Sequence, residues 1–251
     1  MPVASITVTG ISITPMELKN IKGVYFIGLG GIGMSAIARY FLKQGKQVAG
    51  YDKTPTPLTD ELIAEGMNIH FKDSVDLIPA VFKSATASNT NISVKDLSAT
   101  PTSNLKPQTS NDEILVVYTP AIPKDHTELN YFQTNGYQLQ KRSQVLGLIT
   151  KEIKTAGIAG THGKTTTSSI LAHLLKHAGK NTAAFLGGIT KNYHTNFLMP
   201  DSFDDAVCVV EADEFDRSFL TLHPAYAVIT SMDADHLDIY HDKKHLEESY
   251  N

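Results

Sequence analysis

Two glycine-rich segments and two acidic segments hold the residues of this 251-residue chain that could do chemistry. The run Gly160-Thr161-His162-Gly163-Lys164-Thr165-Thr166-Thr167 stands between an apolar segment and an amphipathic one, where a phosphate-cradling loop belongs. The strict P-loop spacing asks for glycine at position 158, which is Ile158, so this is a shortened variant. Its Gly-Lys-Thr core still offers backbone N–H groups to phosphate oxygens, the Lys164 charge to the β- and γ-phosphates, and the Thr165 hydroxyl to Mg²⁺. The plain alternative is a solvated lysine in a glycine turn. AVCVVEADEFD places Glu211, Asp213, Glu214 and Asp216 at the end of an apolar run, and AVITSMDADHLD does the same for Asp233, Asp235, His236 and Asp238. Either cluster alone reads as a solvated turn. Together with the GTHGKT loop they line one edge of a sheet with groups suited to hard Mg²⁺ and phosphate.

The other glycine segment, Gly28-Leu29-Gly30-Gly31-Ile32-Gly33, follows an apolar run, opens a helical pattern, and is succeeded by Asp52 at the end of the next apolar run. This is the dinucleotide fingerprint, in which glycines admit close backbone approach and a helix start faces a diphosphate. Its physics is general, so three readings stay open: NAD or FAD, a nucleotide-sugar diphosphate, and a purely structural turn.

The elements that must position these residues follow from hydrophobic periodicity. VYFIGLG, GMSAIARYFLKQG and QVAGYD read as strand, helix and strand; LTDELIAEG reads as a helix with Thr59 as N-cap, and MNIHF as a short strand. Residues 84–112 are rich in Ser, Thr and Asn without an aromatic, which is loop chemistry and reads as a surface insertion. EILVVYTP, YQLQKR and TAGIAG read as strands, with helices around Glu128–Asn135, at SQVLGLITKEI and at TTSSILAHLLKHAG. NTAAFLGG, DDAVCVVEAD and PAYAVITSM read as strands buried on both faces of a parallel sheet. The expected fold class is α/β: a Rossmann-like parallel sheet unit over 23–150, after an extension over 1–22, then a P-loop-type α/β ATPase unit over 151–251, truncated.

Composition narrows the function classes. A hydrophobic share of 41% with 19% charged residues fits a globular chain, and a net charge of −4 gives no electrostatic reason for nucleic acid or an anionic membrane as partner. The one cysteine, Cys208, excludes an internal disulfide and a cysteine zinc site; it fits a reducing cytoplasm and reads as a small buried hydrophobe. No apolar run approaches a membrane span.

The segments FIGLGGIGMSAIARY, YTPAIP, GIAGTHGKTTTSSILAHLL, VVEADEFDRSFLTLHP and SMDADHLDIY together resemble the Mur ligase family, from about Lys22 onward apart from the 84–112 insertion. The combination of GTHGKTTT with EADE-x-D-x-SFL and DADHLD is highly specific. The resemblance implies that Gly30, Gly31, Ile32 and Gly33 meet a UDP-sugar substrate, with no redox cofactor, and that Asp52, Thr119, Ala121 and Arg142 flank its nucleotide. Family members often have Ser-Ser or Ser-Pro where this chain has Thr119-Pro120, a departure that keeps the hydroxyl. It also implies ATP on Gly160, Thr161, His162, Gly163, Lys164, Thr165 and Thr166, and a first Mg²⁺ on Thr165 and Glu211. His236 would help hold a second metal, while His162 and Asn196 would touch the sugar acid or the phosphates. Lys164, Glu211 and His236 are then the catalytic set. His70, His126, His173, His177, His194, His223, His241 and His245 read as surface or packing residues. The implied reaction joins L-alanine to the carboxylate of UDP-N-acetylmuramate at the expense of ATP, with ligation to a recycled tripeptide as the alternative. The family has three domains, so 251 residues are expected to be a piece of a longer enzyme that binds nucleotides without ligating alanine.

Overall fold

The computed structural model describes residues 17–83, 110–212 and 219–233. The first sheet comprises β1 (Gly23–Ile27), β2 (Gln47–Tyr51), β3 (Asn68–His70), β4 (Ile114–Tyr118) and β5 (Gln138–Lys141), all parallel, in the order β3-β2-β1-β4-β5. Helices α1 (Ile32–Lys43), α2 (Pro57–Ala64) and α3 (Thr127–Thr134) lie between its strands in sequence. The chain leaves β1 for β2 on one side and returns to β4 on the other. The strand order therefore reverses at β1, and the loop from Gly28 to Gly33 sits at that switch point. After α4 (Arg142–Glu152) comes the second sheet, with β6 (Lys154–Ala159), β7 (Thr182–Phe185), β8 (Phe197–Leu198), β9 (Val207–Glu211) and β10 (Tyr226–Ile229). Its order is β10-β6-β9-β7-β8, parallel except for β8 against β7. Helix α5 (Lys164–His177) follows β6.

α1 and α4 lie between the two sheets. One continuous core runs from Val24, Phe26 and Val117 of the first sheet through Ile37, Phe41, Val145 and Ile149 to Phe185, Cys208 and Val210 of the second. The Tyr40 ring closes the junction, edge-on to Phe197 at 6.3 Å and to Phe203 at 5.3 Å. Each of these fully buried side chains contributes about 2 kcal/mol of apolar transfer, so the contact is a shared core and no thin hinge.

Three local expectations are corrected. Thr59 does not cap α2: Thr56 does, accepting from the Thr59 N–H, while the Thr59 side chain accepts from the Thr56 N–H. Pro57 at the first helical position starts the helix three residues earlier than a cap at Thr59 implies. β10 is not buried on both faces; Tyr226, Val228 and Ile229 are exposed, because β6 is its one strand neighbour among the described residues. β8, two residues long and antiparallel, is too short to register as periodicity, and it makes the second sheet mixed.

His70 and His126, read as surface or packing residues, take the packing role, in a largely buried polar cluster beside Tyr25 and Tyr51. The Tyr25 hydroxyl donates to Oε2 of Glu128 at 2.7 Å and meets Nε2 of His70 at 2.8 Å. Glu128 is fully buried, and burial pushes its carboxyl above the usual range despite bonds from Tyr25 and the Ser74 N–H. Asp73 accepts from the N–H groups of Thr127 and Glu128 at 2.7 and 3.0 Å, capping α3 from outside. Burial raises the Asp73 carboxyl, but those two bonds, with the Thr127 side chain and the neighbouring His126, outweigh it and hold it below its ordinary value. Residues 1–16 of the extension, residues 84–109 of the insertion, Asp213, Glu214, Asp216, Asp235, His236, Asp238, His241 and His245 lie outside the described residues. Among the described residues no helix is long and apolar enough to cross a membrane.

Candidate functional site

α1 and α5 both begin at a glycine with no side-chain cap, Gly31 and Gly163, whereas α2 and α3 are capped by Thr56 and His126. The first N–H groups of α1 and α5 thus have no capping side chain, as a phosphate-binding helix start requires.

The loop before α1 is held from behind. Gly28, at φ 91°, and Leu29 donate to the Tyr51 carbonyl at 2.8 and 3.0 Å. The Gly30 N–H donates to Oδ2 of Asp52 at 2.7 Å, and the other Asp52 oxygen accepts from the Thr54 N–H at 3.0 Å. Asp52, expected to flank the nucleotide, therefore spends one lone pair of each oxygen on shaping the loop. A Cβ on Gly30 would lie 2.9 Å from Asp52 and Thr59, and one on Gly33 would run into the Arg142 guanidinium. Thr119 accepts from the Ala121 N–H at 3.2 Å, a tight turn whose Thr119 and Ile122 side chains border Gly28. The structure thus gathers Gly30, Gly31, Ile32, Gly33, Asp52, Thr119, Ala121 and Arg142 at one end of the first sheet.

In the second loop, Gly160 at φ 118° is pressed against Thr230 and Ser231 beyond β10. The Thr161 N–H donates to the Ser231 carbonyl at 3.0 Å, the His162 N–H to the Ser231 hydroxyl at 3.0 Å, and the Asp233 N–H to the Thr161 hydroxyl at 3.0 Å. Thr230 and Ser231 were missed from the sequence, where the only signal was a Thr-Ser pair closing an apolar run. The Lys164 ammonium donates to the carbonyls of Gly160 at 2.7 Å and Thr161 at 3.3 Å, which sets it over the loop. Thr165 donates to Oε1 of Glu211 at 2.8 Å, and the Gly187 N–H donates to Oε2 at 2.9 Å. Two oxygen donors expected to share a metal are therefore in contact, aligned by a glycine that sequence reasoning also missed. Thr166 is exposed on the first turn of α5. His162 is exposed, its ring 3.8 Å from Asp233.

A cavity of about 280 Å³ is lined by Gly33 and Arg142 from the first unit and by Gly187 and Glu211 from the second. Asn196 is not on it. It is fully buried, with Oδ1 accepting from Arg39 at 2.7 Å and Nδ2 donating to the Ile32 carbonyl and the Ser35 hydroxyl at 2.6 and 2.9 Å. Its amide is committed to α1, which corrects its expected place beside a ligand. Among the described residues no three His, Cys, Asp or Glu side chains cluster as a metal site. Thr165 and Glu211 supply hard oxygens of the kind Mg²⁺ accepts.

Comparison with known proteins decides the family. The Mur ligase family catalytic domain matches residues 23–154, and the Mur ligase middle domain matches residues 158–250. The chain belongs to the Mur ligase family. This Mur ligase chain is 52% identical to the UDP-N-acetylmuramate–L-alanine ligase of Cytophaga hutchinsonii and 51% identical to that of Parabacteroides distasonis, in each case over 94% of its own length and 45% of the relative's. It spans somewhat under half the length of these curated relatives. Among solved structures, the UDP-N-acetylmuramate-alanine ligase from Thermotoga maritima superposes with a TM-score of 0.68 at 27% identity, covering 91% of this chain and 46% of that one. A Neisseria meningitides ligase for UDP-N-acetylmuramate and L-alanyl-gamma-D-glutamyl-meso-diaminopimelate gives a TM-score of 0.69 at 23% identity, over 92% of this chain and 66% of that one. At that identity the second match speaks for the fold alone.

Proposed function

We propose that this chain is the nucleotide- and UDP-sugar-binding part of an ATP-dependent ligase that joins L-alanine to the carboxylate of UDP-N-acetylmuramate. The observation that carries the reading is the contact of Thr165, beside Lys164, with Glu211, whose carboxylate lines one cavity with Gly33 and Arg142. The identity of about half to ligases named for alanine favours alanine over a recycled tripeptide as acceptor.

A carboxylate is a poor acyl donor because its leaving group would be oxide. In the proposed reaction a carboxylate oxygen of the sugar acid bonds to the γ-phosphorus of ATP and the bond to ADP breaks. The alanine nitrogen then bonds to that carbonyl carbon, phosphate leaves with the former carboxylate oxygen, and the nitrogen loses a proton. Two anions must meet in the first step, so the chain's own contribution is positioning and charge neutralisation. Lys164 and the uncapped start of α5 hold the β- and γ-phosphates, and the α1 start with Arg142 holds the diphosphate of the sugar nucleotide. Thr165 and Glu211 would hold Mg²⁺, which supplies charge neutralisation between phosphoryl oxygens when bound.

Phosphate release with ATP, UDP-N-acetylmuramate and L-alanine tests the reading in the enzyme that carries this chain. The expected result is turnover that requires all three and disappears in Lys164→Ala. Near-normal phosphate release by that variant refutes the Lys164 assignment.

A further inference from the structure

The junction between the two sheet units has a polar centre. Arg39, on the second turn of α1, is 5% exposed. Its Nε and Nη2 donate to Oε1 of Glu65 at 2.9 and 2.7 Å, and Nη2 also donates to Glu61 at 3.2 Å. Nη1 crosses to Oδ1 of Asn196 at 2.7 Å, and the Asn196 amide returns to the Ile32 carbonyl and Ser35 hydroxyl in the first turn of α1. From there the connection continues into the second loop. The Asn196 carbonyl accepts from the Leu186 N–H at 3.0 Å, the adjoining Gly187 N–H holds Glu211, and Glu211 accepts from Thr165. The first turn of α1 is thus joined to the first turn of α5 through Asn196.

Around this centre the contact is aromatic and apolar, with Tyr40 against Phe185, Phe197 and Phe203. Apolar burial has no direction, so such faces can slide with little loss. A buried guanidinium and amide are satisfied in one arrangement, because any slip leaves a charge or a dipole unpaired away from water. Area holds the units together, and this polar set fixes their register.

We propose that Arg39 and Asn196 form a clasp that sets the spacing between the two phosphate-facing helix starts, making both of them positioning residues for a ligand that bridges the units. The ligand class is a nucleoside diphosphate joined to a sugar acid, which rests on the function proposed above. ATP is held by the second loop, whose link to Asn196 runs through the Asn196 backbone carbonyl and not through the side chain that makes the clasp, so its affinity does not depend on the clasp.

The test combines a distance and two affinities. Spin labels on Gln133→Cys in α3 and Lys180→Cys beyond α5 report the separation of the units; both positions are exposed, whereas Cys208 is fully buried. The parent is expected to give one narrow distance distribution, and Asn196→Ala a broadened or shifted one. UDP-N-acetylmuramate is expected to bind Asn196→Ala about tenfold more weakly, the loss of one buried charge-assisted bond, with ATP affinity unchanged. Ser35→Ala, which removes one hydroxyl acceptor, decides the matter if Asn196→Ala does not fold; it should broaden the distribution to a lesser degree. An unchanged distribution in a folded variant overturns the clasp, as does an equal loss of affinity for both ligands. If the parent binds no UDP-N-acetylmuramate, the proposed function fails, and the distance measurement still judges the clasp.

Discussion

Gly187→Ala separates alignment of the site from stability of the fold. A Cβ on Gly187 would lie 2.6 Å from Cδ and Oε1 of Glu211. Non-bonded carbon contacts settle at about 3.5–4.0 Å, so the carboxylate must retreat by about 1 Å. That retreat breaks the bonds Glu211 accepts from Thr165 and the Gly187 N–H. Two partly exposed bonds cost about 1–2 kcal/mol. Gly187 does not occupy the left-handed region, so alanine recovers about 0.5–1 kcal/mol through the unfolded chain. Stability should therefore change by only about 1 kcal/mol. The site loses far more, since a misplacement of this size costs on the order of a hundredfold in function. Titration calorimetry with ATP, with and without Mg²⁺, reads the effect: the parent should bind ATP more tightly with Mg²⁺, and Gly187→Ala should lose most of that gain. Gly188→Ala is the control, because its Cβ meets Thr165 Cγ2 at an ordinary 3.4 Å. A Gly187→Ala protein that melts like the parent and keeps the full Mg²⁺ increment would show that Thr165 and Glu211 are not the metal pair.

Tyr25→Phe should lower the free energy of unfolding by about 2 kcal/mol in urea, because fully buried Glu128 loses the shorter of its two hydrogen bonds. Asp73 is held below its ordinary value, so its contribution to stability is present above pH about 4 and is lost as pH falls through its folded pKa. Asp73→Asn should accordingly flatten the acid limb of a stability-against-pH curve, and an unchanged limb would exclude the α3 cap as its source. Burial pushes the Cys208 thiol up to about 12, so an aromatic disulfide reagent should react with it only as fast as the chain opens. Rapid reaction in the folded state would place Cys208 outside the core.

The strands and helices of the sheets were legible because VYFIGLG, EILVVYTP and AVCVVEAD are apolar runs that end at glycine, proline or acid, and parallel strands buried on both faces leave that trace. The pairing of Thr165 with Glu211 was legible only through the resemblance, since nothing in sequence spacing brings residues 46 apart in sequence together. Three things were not legible. Gly187 acts through the space its missing side chain leaves, which has no sequence signature. Asn196 stands in a polar loop that reads like a ligand contact, and its burial depends on where α1 of the other unit lies. Asp52 fits the dinucleotide fingerprint equally well as a ribose ligand or as the strut that shapes the loop, and the Gly30 N–H shows the second use.

The Gly28–Gly33 loop is expected to take a UDP-sugar acid and no dinucleotide. This expectation is tested most directly by calorimetric titration of this chain with UDP-N-acetylmuramate and, separately, with NADH. The expected result is saturable one-to-one binding of UDP-N-acetylmuramate, weakened in Gly33→Ala by the collision with Arg142, and no binding of NADH. Saturable NADH binding without binding of the sugar nucleotide would contradict it.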